Sequence, residues 1–263
     1  MARTLALVCD TNIWYDAVVD YKLFRRITRF GGTPCLAFSS FLEIVGGMTE
    51  SNYERRRDAC KTIVSVGPKV LPDSETFVSV SSGQWSAERN WSPLLYDMAT
   101  SHSFQQASQL QSFAVLKGHR ETMERERLGD FVRGVPLVAN DLGLDGKKYQ
   151  AAIAGKGNMP RWHLPRQAFD SYWSRHGLAA FDQAFQTRFG ATVEKSKLEC
   201  YIAVYKEYFY ALLSKPMKPK KNDCCDLEQF MYLIDDWHIL VTRDQKWVDY
   251  AMDSGWSRRV MVA

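Results

Sequence analysis

A chain of 263 residues, 46% hydrophobic and 24% charged, has the composition of a globular protein with room for one large core or two modest ones. No apolar run approaches the roughly 20 residues that span a bilayer, and Asp10 interrupts the apolar stretch nearest the N-terminus, so composition speaks against a membrane span and a secretory signal and for a cytoplasmic location. The net charge of +4 is unevenly spread: Trp85 to Lys221 carries 20 Lys and Arg against 13 Asp and Glu, and the remainder 14 against 17, which would suit a polyanion held by the middle of the chain and met by acids from its ends. The six cysteines form no CxxC pair, and half of them lie in apolar runs, a pattern of reduced, buried thiols rather than a zinc site.

In chain order, Leu5–Cys9 is a short apolar run that predicts a buried strand. A helix is expected from about Trp14 to Arg29, closed by Gly31-Gly32. Pro34 to Phe38 predicts a second strand. Ser39 or Ser40 then caps a helix carrying Glu43 and broken by Gly46-Gly47. A helix over Asn52–Val66 and a short strand at Lys69–Pro72 complete a βαβα alternation, which predicts a parallel sheet with helices on its faces. Beyond a polar stretch at Ser81–Pro93 the pattern is mainly helical, over Phe104–Leu128, Pro165–Phe189 and Lys197–Leu213, with Gly143–Trp162 read as an irregular connection. Lys215-Pro216-Met217-Lys218-Pro219-Lys220-Lys221 reads as a linker. The α/β pattern then resumes with a helix from Asn222, a strand at His238–Thr242, a helix over Gln245–Met252 and a last strand at Arg259–Val262. The expected organisation is one α/β unit formed by residues 1–82 and 220–263, interrupted by a mainly helical insertion at 83–219.

Four acids fall in related places. Asp10 and Asp244 each follow a short apolar strand, Glu43 lies in the first turns of the helix after the second strand, and Asp226 lies in the first turn of the helix before the last main strand. In a parallel sheet the strand carboxyl ends and the following helix starts share one edge, where ligands bind. Carboxylates gathered there repel one another unless a cation compensates, and Mg²⁺ or Mn²⁺ is the cation that suits oxygen donors. Asp223, three residues before Asp226, shares a helix face with it. The plain alternative for each acid is local: a helix cap for Asp10, Asp223 and Asp244, a dipole partner for Asp226, a solvated residue for Glu43.

The segments Val8-Cys9-Asp10-Thr11-Asn12, Ser39-Ser40-Phe41-Leu42-Glu43, Asn222-Asp223-Cys224-Cys225-Asp226-Leu227 and Val241-Thr242-Arg243-Asp244 resemble, in order and spacing, the motifs of the PIN domain family of metal-dependent nucleases. The resemblance covers residues 1–80 and 220–263 and implies an α/β fold, a PIN-like parallel sheet with flanking helices plus the helical insertion. It implies Asp10, Glu43, Asp226 and Asp244 as catalytic, metal-binding acids, Asp223 as an auxiliary metal-binding acid, and Thr11, Asn12 and Thr242 as polar groups supporting them. The implied chemistry is hydrolysis of phosphodiesters with Mg²⁺ or Mn²⁺ and no covalent intermediate, on RNA before DNA. A toxin held by an antitoxin or other protein inhibitor, a defence nuclease and a homodimer are all in the family's range. A structure-specific DNA nuclease of the flap-endonuclease type, or a non-catalytic RNA- or protein-binding module, are the alternatives. The long insertion departs from the small toxin members.

For nucleic-acid contact the sequence offers Arg161 and Trp162, where bases and aromatics interleave, and Lys215, Lys218, Lys220 and Lys221, which run into the acidic segment. A core tryptophan and a solvated linker are the plain alternatives. The five histidines have no metal-ligand spacing, and the Tyr201, Tyr205 and Tyr208 stripe reads as core.

Overall fold

The computed structural model describes residues 4–81, 91–160, 163–189 and 195–263. Its centre is a five-stranded, all-parallel sheet ordered β3-β2-β1-β4-β5: β1 Leu5–Cys9, β2 Gly32–Leu36, β3 Lys69–Val70, β4 His238–Thr242 and β5 Val260–Val262. The first strand is flanked on one side by β2 and on the other by β4, which comes from the far end of the chain. Both faces are covered, so these strands read as unbroken apolar runs rather than alternating ones. Register fixes which side chains share a face. Val8 sits level with Cys35 and Leu240, and these three join one core; Cys9 sits level with Leu36 and Val241, and these join the other.

The central segment contributes to both cores. A long helix, Gln111–Asp141, spans about 45 Å at 1.5 Å per residue. Its first half puts Phe113, Leu116 and Met123 into one core and its second half puts Phe131, Val135 and Ala139 into the other. Helix Glu199–Ser214 adds Val204, Tyr208 and Leu212 to the second core. Phe131 packs against Tyr205 and Tyr208, so the tyrosine stripe is core. No helix among the described residues is long and apolar enough to cross a membrane.

Several boundaries differ from the sequence expectation, each for a local reason. The helix expected over Trp14–Arg29 is split into Thr11–Val19 and Leu23–Ile27, because the Asp20 carboxylate accepts from Lys22 N at 3.1 Å and pairs with Arg26, closing a turn between them. The stretch read as irregular contains a helix, Gly146–Ile153. Asp145 caps it through Lys148 N at 3.1 Å, and Tyr149 and Ala152 bury beneath it. The helix expected to end near Leu128 is broken at Leu110, whose backbone is extended, and then runs through Pro136 to Asp141. Lys221 opens helix Lys221–Gln229 rather than closing the linker.

Candidate active site

Asp10 follows β1 directly. Its amide continues the ladder by donating to Val241 O at 2.9 Å, and its extended backbone then releases the chain into helix Thr11–Val19. The side chain caps that helix, accepting from Thr11 N at 2.6 Å, so the local reading of Asp10 is correct as far as it goes. Capping occupies only part of the carboxylate. Oδ1 also accepts from Gln229 Nε2 at 2.9 Å, and Oδ2 accepts from Thr242 Oγ1 at 2.7 Å and Asn12 Nδ2 at 3.5 Å. Asp10 is 4% exposed. Burial pushes its carboxyl above the ordinary value, the hydrogen bonds from Gln229, Thr242 and Thr11 oppose the shift, and the Asp244 charge adds to it.

Thr242 stands beside Asp10 because it ends β4, the strand paired with β1. Its hydroxyl donates to Asp10 and accepts from the Asp244 amide at 3.0 Å, linking the two strand ends. Asp244 then caps helix Gln245–Asp253 through Lys246 N at 3.0 Å. Glu43 lies where the short helix Phe38–Phe41 widens into a π turn, Leu42–Gly46, a distortion that recurs at functional sites. It is half-buried, and Asn222 Nδ2 donates to Oε1 at 3.4 Å from the exposed rim. Burial raises its carboxyl and the Asp10 charge adds; Thr11, Arg120 and Arg56 lie close enough to oppose the shift. Asp226, on helix Lys221–Gln229, is raised well above the ordinary range by burial first and then by the charges of Asp10 and Glu43, with Lys246 opposing.

Asp10, Glu43 and Asp226 therefore lie within range of one another's charge at the carboxyl edge of the sheet. Among the described residues no cation forms an ion pair with any of them or with Asp244. Asp223 is different. Its Oδ1 accepts from Lys246 Nζ at 2.6 Å, and its Oδ2 accepts from Tyr208 Oη at 2.6 Å and Lys220 N at 2.9 Å. It faces Lys246 and Tyr208 rather than the three acids, and it holds the Lys246 ammonium at the edge of their field.

The donor set suits a hard divalent cation: it is all oxygen and anionic, and no protein cation pairs with it directly, although Lys246, Arg56 and Arg120 offset part of its charge. Thr11 Oγ1 and Gln229 Oε1, in residues 2% and 1% exposed, add two buried oxygens with no direct hydrogen bond beside Asp10. The side chains as placed do not close around one point; among the described residues no three His, Cys, Asp or Glu converge tightly enough to grip an ion. No protein-family model, no curated protein and no solved structure matches this chain.

Of the residues expected to contact nucleic acid, Lys215, Lys218, Lys220 and Lys221 are exposed on the segment that enters helix Lys221–Gln229. Arg161 and Trp162 lie outside the described residues. Residues that the sequence reading did not assign to the site are Gln229, Lys246, Tyr208, Arg56 and Arg120, of which Tyr208 was read as core. Gln229 had a signal, since it lies three residues after Asp226 on the same helix face. Arg120 had none, because only the path of the long helix brings it to Glu43.

Proposed function

We propose that this chain is a divalent-metal-dependent nuclease of the PIN kind that hydrolyses phosphodiester bonds, RNA ahead of DNA. The observation that supports the reading is the mutual charge of Asp10, Glu43 and Asp226: three carboxylates without ion pairs, each raised by burial and by a neighbouring acid, on elements that end at the ligand-binding edge of a parallel sheet. A fold keeps such a destabilising group where a cation completes it. Asp10, Glu43 and Asp226 would hold Mg²⁺ or Mn²⁺, with Asp244 completing the set from the end of β4. When bound, the ion acidifies water and stabilises charge on the phosphoryl and leaving oxygens. Gln229 and Thr242 fix the orientation of the Asp10 carboxylate. Asp223 positions Lys246, whose ammonium offsets part of the negative field beside Asp226. The exposed Asn12 and Asn222 mark the mouth through which the substrate strand would enter.

The test is cleavage of labelled RNA, single-stranded DNA and branched DNA by the purified chain with Mn²⁺, Mg²⁺ or EDTA, beside Asp10→Asn. Metal-dependent cutting that is lost in Asp10→Asn is the expected result, and the preferred substrate decides between RNA and structured DNA. Cutting that survives both EDTA and Asp10→Asn would overturn the proposal.

A further inference from the structure

Beside the carboxylates stands a group of the opposite charge that hydrolysis by the acids does not use. Arg56, on helix Tyr53–Val66, turns its Nη1 onto the backbone carbonyls of the π turn, donating to Glu43 O and, at 3.0 Å, to Ile44 O. Arg120, on the long helix, reaches the same point. The two meet over Gly47. An added Cβ at Gly47 would lie 1.8 Å from Arg120 Nη1 and 2.6 Å from Arg56 Nη1, so the two guanidinium groups crowd into the space a side chain would take. Gly46 serves the same approach: its missing Cβ leaves room for Arg120 Cβ and Leu116 O of the long helix.

Two half-buried guanidinium groups facing each other need an anion. Arg120 has one, since its Nε donates to the buried Glu124 at 2.6 Å. Arg56 makes no ion pair among the described residues: its hydrogen bonds go to backbone carbonyls, and the nearby Glu43 carboxylate charge acts on it without a direct contact. Burial first, and then the neighbouring charges of Arg120 and Arg55, work against its cation, with Tyr15 and Glu43 opposing them only in part. Nearby, the exposed Arg55 lies over the Tyr15 ring at 4.3 Å and extends the basic surface towards solvent. The arrangement is that of a fork-shaped oxyanion receptor: two planar donors on separate helices, converging next to acids that would handle a phosphodiester.

We infer that Arg56 and Arg120 form a phosphate-binding site for the substrate strand, receiving the non-bridging oxygens of a phosphodiester next to the bond at Glu43. This rests on the nuclease reading for its ligand. It assigns the strand contact to helix Tyr53–Val66 and the long helix, rather than to the Lys215–Lys221 segment alone.

The experiment is equilibrium binding of a fluorescent oligouridylate, and separately single-stranded DNA, to the full chain in EDTA over a range of salt concentrations, with no turnover involved. Removing one phosphate-binding cation should lower the slope of log affinity against log salt by about 0.7 for a single strand. Arg56→Gln and the double variant Arg120→Gln, Glu124→Gln are each expected to lower the slope by that amount and to weaken low-salt binding about tenfold, the equivalent of one charged hydrogen bond. The double variant leaves no buried glutamate unpaired and keeps the net charge of the chain, so a general charge effect would not move it. Arg56→Lys, which keeps the cation, is expected to retain the slope, and it keeps the Arg56 arm readable if Arg56→Gln melts early. Binding by the parent with slopes unchanged in the folded variants overturns the phosphate site and leaves the nuclease reading intact. No binding by the parent to either strand in EDTA also overturns the phosphate site, while the nuclease reading stands or falls on cleavage with Mn²⁺ or Mg²⁺.

Discussion

On the proposed nuclease reading, replacing Asp226 by Asn should make the protein more stable in EDTA while abolishing metal-dependent cleavage. Asp226 has no ion pair, and burial together with the charges of Asp10 and Glu43 raises its carboxyl well above the ordinary range. An acid whose folded value lies above its unfolded value near 4 destabilises the fold at neutral pH, and each unit of elevation corresponds to about 1.4 kcal/mol. The group is half-buried, and Lys246 offsets part of the repulsion, so a gain of about 1–2 kcal/mol is expected rather than the full desolvation penalty. For a chain of this size that is a rise in melting temperature of about 3–6 °C. The sign with pH follows. Well above the raised value both the folded and unfolded chains are ionised and the penalty is constant. As pH falls through the raised value the folded protein binds the proton first, so this contribution to stability improves down to about pH 4, where the unfolded chain is protonated as well. Thermal melts in EDTA across this range should show the improvement in the parent and a flatter profile in Asp226→Asn. Mn²⁺ at a hundredfold excess over its dissociation constant should stabilise the parent by about 2.7 kcal/mol and the variant far less. A variant that melts several degrees below the parent in EDTA at neutral pH, or that keeps the parent's full response to Mn²⁺, would refute the reasoning, because Asp226 would then be a structural partner and not a ligand held under repulsion.

Gly47→Ala should destabilise the protein by about 1–3 kcal/mol, since its Cβ would fall 2.5 Å from the backbone oxygen of Glu43 as well as on the two guanidinium groups; a chemical denaturation midpoint equal to the parent's would contradict the close approach. His238 titrates with the opposite sign to the acids. Burial lowers it to about 4, so between about pH 6.5 and 4 the unfolded chain takes a proton that the folded one refuses, and stability falls by about 3 kcal/mol across that window. His238→Phe should remove that fall, and denaturant titrations at pH 7 and 4.5 that give the same loss in parent and variant would rule it out.

Much of the frame was legible in the chain itself. Leu5–Cys9 and His238–Thr242 are strands with the bounds read from their apolar runs, because a strand buried on both faces has no other composition available to it. The parallel sheet followed from strand and helix alternation, since parallel neighbours need a crossover between them. The edge positions of Asp10 and Glu43 were legible for a related reason: an acid straight after an apolar run, or in the first turns of the next helix, has only the carboxyl edge of the sheet to occupy, whereas Asp226 reaches it only through the packing of helix Lys221–Gln229. Other features depended on contacts between distant segments. Helix Gly146–Ile153 was hidden by its glycines and is made by the Asp145 cap and the burial of Tyr149. Asp223 is separated from the neighbouring acids by Lys246 and Tyr208, and its spacing from Asp226 could not show which way it would be claimed. The sequence by itself determined which strands form and which acids reach their common edge, because those follow from local hydrophobicity and chain direction. The tertiary structure alone decided what cations stand against those acids, because Lys246, Arg56 and Arg120 arrive there on helices whose positions are set by packing rather than by any pattern in their own residues.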